Sequence, residues 1–385
     1  MNKLELILTK IILNTLYYFF CIFPVKKRKI VFATPRNDIT QGNLKYIYDE
    51  IKSQKLDYHC ILLWDKYGYK WVDKVKYLFL LILRMYHFAT ARFIIVDNAY
   101  LPVHIIHHRK ETTVVQVWHA CGAFKKFGLS TKDLEDGIRE SEITFLHKNY
   151  DIAITSSKNI ASCYCEAFNM KEHQILPLGV PRTDFFYDDA KMALKQQSIY
   201  KKFPQLKNHK VLLYAPTFRG RGKDKYIEIP FDIKKLKKAL YPEYLLIIKG
   251  HPHAGFEDVI HYDPEFSTLI WNQFSLNALF TVSDILITDY SSGIFEFSLL
   301  NKPMIFYAYD LEEYKSKNAF YMEYESFVPG PIATTQEELL EILHKQTYKE
   351  YDIQGFAKNN FDYMDGKSTQ RFIQEIILHN DDTTK

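Results

Sequence analysis

Two successive sets of short apolar runs alternating with helical stretches predict an α/β protein made of two doubly wound, Rossmann-like domains. Three observations carry that expectation. The runs are continuously apolar and end in polar or glycine residues, as strands covered on both faces do. The pattern breaks at a charged, helix-like stretch, residues 188–202, and then restarts. At 385 residues, the chain also exceeds what one hydrophobic core usually supports.

In chain order, residues 1–25 are apolar and aromatic, interrupted by Glu5 and Lys10, and run into Lys26-Lys27-Arg28-Lys29. This is neither a cleavable signal peptide nor a good spanning helix, which needs about 20 uninterrupted apolar residues. Two readings stay open: a core helix with a solvated basic turn, or an in-plane anchor whose basic collar meets anionic lipid. Strands are expected at 29–33, 58–64, 93–97, 113–118, 151–155 and 174–178. Residues 75–86 (VKYLFLLILRMY) read as a helix too short to span, either a core element or a second membrane-facing surface. The second set of strands is expected at 209–215, 244–249, 268–271, 284–288 and 303–307. The tail from Tyr363 reads as a helix, with Asp365-Gly366 leading in and Ser368 or Thr369 as its cap. Domains are therefore expected over 1–190 and 191–385, the second closed by a C-terminal helix.

Composition narrows the function. The formal charge of +4 from 50 basic and 46 acidic residues points to no nucleic-acid partner. Cys21, Cys60, Cys121, Cys163 and Cys165 form no CxxC pair and no zinc spacing, which suits a reducing compartment.

Four motifs fall just past expected strand ends, where α/β domains present ligands. In Trp118-His119-Ala120-Cys121-Gly122-Ala123-Phe124-Lys125-Lys126-Phe127-Gly128, the histidine is placed to accept a proton near neutral pH. Lys125 and Lys126 have the charge to hold phosphate; the plainer reading is a core histidine followed by a basic turn. Tyr214-Ala215-Pro216-Thr217-Phe218-Arg219-Gly220-Arg221-Gly222-Lys223 opens from a strand into a hydroxyl, two arginines, a lysine and two glycines, which suits an anion; a basic loop with no ligand is the plainer reading. Lys249-Gly250-His251-Pro252-His253 ends a strand in a cation and two histidines, with no nearby carboxylate or cysteine to complete a metal site. Thr288-Asp289-Tyr290-Ser291-Ser292-Gly293-Ile294-Phe295-Glu296 sets consecutive serines at a strand-to-helix turn, which suits a phosphate or an ordinary cap. Glu296, one turn on, is placed for a ribose diol. No acidic cluster resembles a magnesium site, so no metal and no cofactor are expected.

In that order, these motifs resemble the CDP-glycerol glycerophosphotransferase family of teichoic-acid primases and polymerases, over about residues 30–371. Gly179-Val180-Pro181-Arg182-Thr183-Asp184 and Asp365-Gly366-Lys367-Ser368-Thr369-Gln370-Arg371 match further signatures. The resemblance implies a GT-B arrangement: two Rossmann-like domains facing a cleft, the first turned to acceptor and membrane, the second holding the CDP donor. It makes His119 the base, and sets His251 at the pyrophosphate together with Thr217, Arg219, Lys249, Ser291 and Ser292. One departure is Ala120-Cys121-Gly122, where Gly-Thr-Pro is commoner in the family.

The expected reaction moves glycerol phosphate from CDP-glycerol to a hydroxyl of a lipid-linked or polymer acceptor in teichoic-acid or capsule-type synthesis. CMP is released, and the enzyme works peripherally at the cytoplasmic side of an anionic membrane. CDP-ribitol as donor, or a nucleotide-sugar GT-B transferase for capsule, are the alternatives.

Overall fold

The computed structural model describes residues 3–35, 42–64, 71–134, 145–220, 226–250, 255–256 and 263–379; for 3, 71–78 and 255–256 it describes the backbone alone. It divides into two units, residues 1–184 with 361–385, and residues 185–360.

The first unit opens with helix α1 (Lys3–Phe20), followed by β1 (Lys26–Thr34), helix α2 (Asn43–Ser53), β2 (His59–Trp64), helix α3 (Trp71–Ala89), β3 (Ala91–Val96), β4 (Thr113–Gln116), β5 (Ile152–Ile154) and β6 (Ile175–Leu176). All six strands are parallel, in the order β2-β1-β3-β4-β5-β6. β3 is buried throughout and β1 from Lys29 on, with Ile30, Phe32, Phe93 and Ile95 fully buried. The order reverses between β1 and β3, the switch at which parallel sheets open a crevice beyond their carboxyl ends.

The second unit holds β7 (Lys210–Tyr214), β8 (Tyr226–Ile227), β9 (Tyr244–Lys249), β10 (Gly255–Phe256), β11 (Ser267–Ile270), β12 (Ile285–Thr288), β13 (Met304–Tyr307) and β14 (Ile332–Ala333). β8 and β10 pair with each other. The others form a second parallel sheet, β11-β9-β7-β12-β13-β14, whose switch falls between β7 and β12. Its core packs Leu212, Ile248, Ile287 and Ile305 against Leu236, Leu339 and Leu343 from flanking helices.

Each strand expected from the sequence is present, with ends shifted by a few residues. The domain boundary differs. The C-terminal helix starts at Ser368, turns from α- to π-type after Phe372 and belongs to the first unit, not the second. Its Phe372, Ile373, Ile376 and Ile377 sit in the same core as Ile30, Leu44 and Phe93. Its cap differs too. No side chain of the tail caps it; instead, the Asp184 carboxylate accepts from the amides of Ser368 and Thr369, at 2.9 and 2.8 Å. Gly179, at φ +88, lets the chain pass where a Cβ would strike the Ser368 hydroxyl. Arg371 donates to the Leu178 carbonyl and pairs with Asp365. The two outlying sequence signatures are thus the halves of one clasp.

The basic collar is also altered. Lys26–Lys29 are not a turn but the start of β1, and only Lys26, Lys27 and Arg28 are exposed. Lys29 is buried, donates to Thr90 Oγ1 at 2.6 Å and lies 4.9 Å from the Tyr86 ring centre; burial pushes its ammonium down to about 8. Nearby, α1 buries Leu6, Leu13 and Tyr17 and turns Leu4, Ile7, Leu8, Ile11 and Ile12 to solvent. From α3, Phe79, Leu80 and Leu83 are likewise exposed, and an apolar groove of about 770 Å³ runs between Phe20 and Tyr86. Among the described residues, no helix is long and apolar enough to cross a membrane.

Candidate active site

In the first unit, the site is built around the chain leaving β4. Trp118 adopts φ +47, and the Gln116 side chain holds its amide at 2.8 Å. Asn43, at the start of α2, donates to the carbonyls of Val117 and Trp118 and accepts from the Arg182 amide. The Arg182 guanidinium in turn donates to the His119 carbonyl. The turn that carries His119 is therefore gripped from two sides. Its imidazole lies 4.2 Å from the Trp118 ring centre, and Trp118 stacks on Phe127.

His119 Nδ1 lies 3.4 Å from the carbonyl of Asp97, one residue past the end of β3. A carbonyl only accepts, so Nδ1 carries the proton and Nε2 keeps its lone pair, as a general base requires. Cys121 is fully buried with its thiol near the Arg182 guanidinium, so the departure after the histidine rebuilds the turn as an internal packing position. Lys125 and Lys126 are half-buried in the same loop, Lys126 3.8 Å from Glu166. Gly128, at φ +56, lies against the Ala167 carbonyl, where no Cβ fits.

In the second unit, the strand-end motifs converge at the β7–β12 switch. Thr217 donates its amide and hydroxyl to Asp289 Oδ1, at 2.8 and 3.0 Å. Arg219 spends its Nε and one Nη2 hydrogen on Asp310, at 2.7 and 2.9 Å, and the other Nη2 hydrogen on Asp289, at 3.0 Å. Its Nη1 goes to the carbonyl and hydroxyl of Thr217, both at 2.9 Å. A guanidinium has five N–H donors, and these contacts account for all five. Arg219 and Thr217, expected to face a phosphate, are turned inward here: Asp289 holds both, and Asp310 holds Arg219 as well.

Lys249 is also turned inward. It donates to the carbonyls of Trp271 and Gly250, and burial pushes its ammonium down to about 8. Ser291 Oγ accepts from the Gly293 amide at 3.1 Å, whereas Ser292, the residue before helix Gly293–Ser298, makes no side-chain cap. Both serines are half-buried, and Glu296 is buried on that helix. His251 lies outside the described residues. Among them, no group of three or more His, Cys, Asp or Glu is assembled as a metal site.

Sequence reasoning missed Asn43, Asp97, Asp289 and Asp310 as parts of these sites. Asp289 stood inside a quoted motif, and its burial at a strand end was the available signal. Asn43 and Asp310 belong to no motif.

Two parallel Rossmann-like units, each with polar groups gathered at strand ends beside the switch point, make this a GT-B-like protein. The chain belongs to the CDP-glycerol:poly(glycerophosphate) glycerophosphotransferase family, whose sequence model matches residues 15–378. It is 39% identical over 361 residues to a teichoic acid ribitol-phosphate primase of Bacillus spizizenii, covering 91% of each chain. It is 38% identical over 371 residues to a teichoic acid poly(ribitol-phosphate) polymerase of the same organism, covering 94% of this chain and 58% of that one. The chain thus spans little more than half of that polymerase. The wall teichoic acid polymerase TagF, in its H548A form, superposes with a TM-score of 0.77 at 23% identity, covering 99% of this chain and 97% of that one.

Proposed function

We propose that the enzyme transfers glycerol phosphate from CDP-glycerol to a hydroxyl of a lipid-linked or polymer acceptor. The acceptor oxygen attacks the β-phosphorus, His119 Nε2 takes its proton, the bond to the bridging oxygen breaks, and CMP leaves. The observation that carries this reading is the Nδ1 contact to the Asp97 carbonyl, which reserves Nε2 for the proton. Positioning supplies much of the acceleration in such phosphoryl transfers. The Ser291–Ser292 turn is assigned to the pyrophosphate, with Ser292 Oγ uncommitted to capping its own helix. His251 is assigned there from its motif, Glu296 to the ribose, and Lys125 and Lys126 to the acceptor side.

A second reading, CDP-ribitol as donor, is favoured by the 39% identity to a ribitol-phosphate primase over nearly the whole of both chains. The test is competition of CDP-glycerol with CDP-ribitol on a synthetic undecaprenyl-type disaccharide, followed by product mass analysis. CMP release with a glycerol phosphate increment is expected. A ribitol phosphate increment selects the second reading, and no CMP from either donor overturns both.

Peripheral attachment to the cytoplasmic face of an anionic membrane is part of the proposal. The support is the exposed apolar surface of α1 and α3, with Ile22 and Phe23 continuing it toward Lys26, Lys27 and Arg28. Arg28 already pairs with Asp57 at 2.5 Å, so Lys26 and Lys27 are the freer charges. Neutralising Lys26, Lys27 and Arg28 together should weaken binding to phosphatidylserine vesicles by on the order of 1 kcal/mol per residue at low salt, and by less as salt rises. Leu8→Asp with Phe19→Asp should remove the salt-insensitive remainder. Vesicle binding unchanged in both variants would place attachment elsewhere.

A further inference from the structure

Asp310 lies outside every motif that pointed to the site, yet it closes the strand-end network of the second unit. It is the residue before helix Leu311–Lys317, and aspartate at that position ordinarily accepts from the helix's own first amides. Here it makes no such bond. Its oxygens go to Arg219 and to the Tyr290 hydroxyl, which donates at 2.8 Å.

The result ties three neighbouring strand ends together. Arg219 follows β7, Asp289 and Tyr290 follow β12, and Asp310 follows β13. The Tyr290 amide donates to Asp289 Oδ1 at 2.6 Å, so both ends of that residue are held. The rings of Tyr290, Tyr309 and Tyr314 surround the guanidinium at 5.2 to 5.5 Å. Side-chain exposures of 11% for Arg219, 1% for Asp289 and 15% for Asp310 show the cluster to be largely shielded from water. Two carboxylates around one guanidinium carry a net negative charge, which repels a diphosphate instead of binding it. What the cluster fixes is the next residue along: Ser291 follows Tyr290 directly.

We propose that Asp310 is a positioning residue for the nucleotide donor: through Arg219 and Tyr290 it sets the Ser291–Ser292 turn against the diphosphate. Arg219 is the strut of that arrangement and touches no phosphate. The inference rests on the assignment of that turn to the donor.

The experiment measures kcat and KM for whichever of CDP-glycerol and CDP-ribitol turns over. Asp310→Asn keeps the size but loses the charge, and should raise the donor KM about tenfold, the usual cost of spoiling a charge-assisted hydrogen bond. Both kcat and the acceptor KM should stay within about threefold, a split that general loosening of the fold does not give. Arg219→Lys should not preserve donor affinity, since an ammonium cannot reproduce the five-donor fork. In a Ser291→Ala, Ser292→Ala background, Asp310→Asn should add less than about twofold, because coupled groups are not additive.

A full tenfold added in that background, or a donor KM unmoved by Asp310→Asn, overturns the inference. If Asp310→Asn does not fold, Tyr290→Phe, which deletes only the hydroxyl contact, decides: a raised donor KM supports the inference and an unchanged one overturns it. If the double serine variant itself leaves donor KM unchanged, the assignment of the turn has failed, and the inference about Asp310 falls with it.

Discussion

His119→Ala should lower turnover about a hundredfold or more while the protein stays folded, the scale on which removal of a general base is usually felt. The residue contributes little to the core. Its imidazole is half-buried, and the turn beneath it is held by the backbone contacts of Asn43 and Arg182, which survive the substitution. Melting temperature should therefore hardly change. Steady-state CMP release at saturating donor and acceptor is the measurement. The rate should also lose the acidic limb of its pH profile, since that limb reports protonation of the base. A folded variant that turns over within about threefold of wild type would remove His119 from the chemistry.

A chain ending at Asn360 should lose the structure of the first unit while the second still folds. The four core side chains of the last helix, Phe372, Ile373, Ile376 and Ile377, are fully buried. Burying each contributes about 1.5–3 kcal/mol, so their loss removes roughly 6–12 kcal/mol. A domain's whole margin is about 5–15 kcal/mol. Asp184 would also be left without the Ser368 and Thr369 amides that now satisfy its half-buried carboxylate. Limited proteolysis should leave a resistant core near 185–360 and degrade what precedes it. Protection of β1 to β6 in the shortened chain, read by amide exchange, would contradict the clasp.

The strands were readable from the sequence because most of these parallel strands are covered on both faces and so write continuous apolar runs. Ile332–Ala333 and the β8–β10 pair escaped because they are short and lie in no longer apolar run. The site was legible only in part, for a different reason. A motif reports which side chains leave a strand end, not which way they turn. Arg219 and Lys249 look alike in sequence as cations after strands, and both are drawn inward by acceptors far along the chain: Asp310 for one, the Trp271 carbonyl for the other. Lys29 reads as one of four basic residues in a row, but it stands where β1 passes from its three exposed residues into its buried stretch, and Thr90 holds its ammonium there. Asp184 shows the same limit for local structure, because a helix cap supplied from so distant a position leaves no trace near the helix.

The return of the last helix to the first unit governs the order in which the molecule can be completed during synthesis. Ribosomes deliver about 5–20 residues per second, and domains generally fold as they emerge. Residues 185–360 are contiguous and can close as soon as they are made. The first unit, though translated earlier, lacks part of its core until helix Ser368–Leu378 has left the exit tunnel. The apolar face of α1 is meanwhile displayed on an unfinished nascent chain, with a bilayer or a chaperone as its natural shelter.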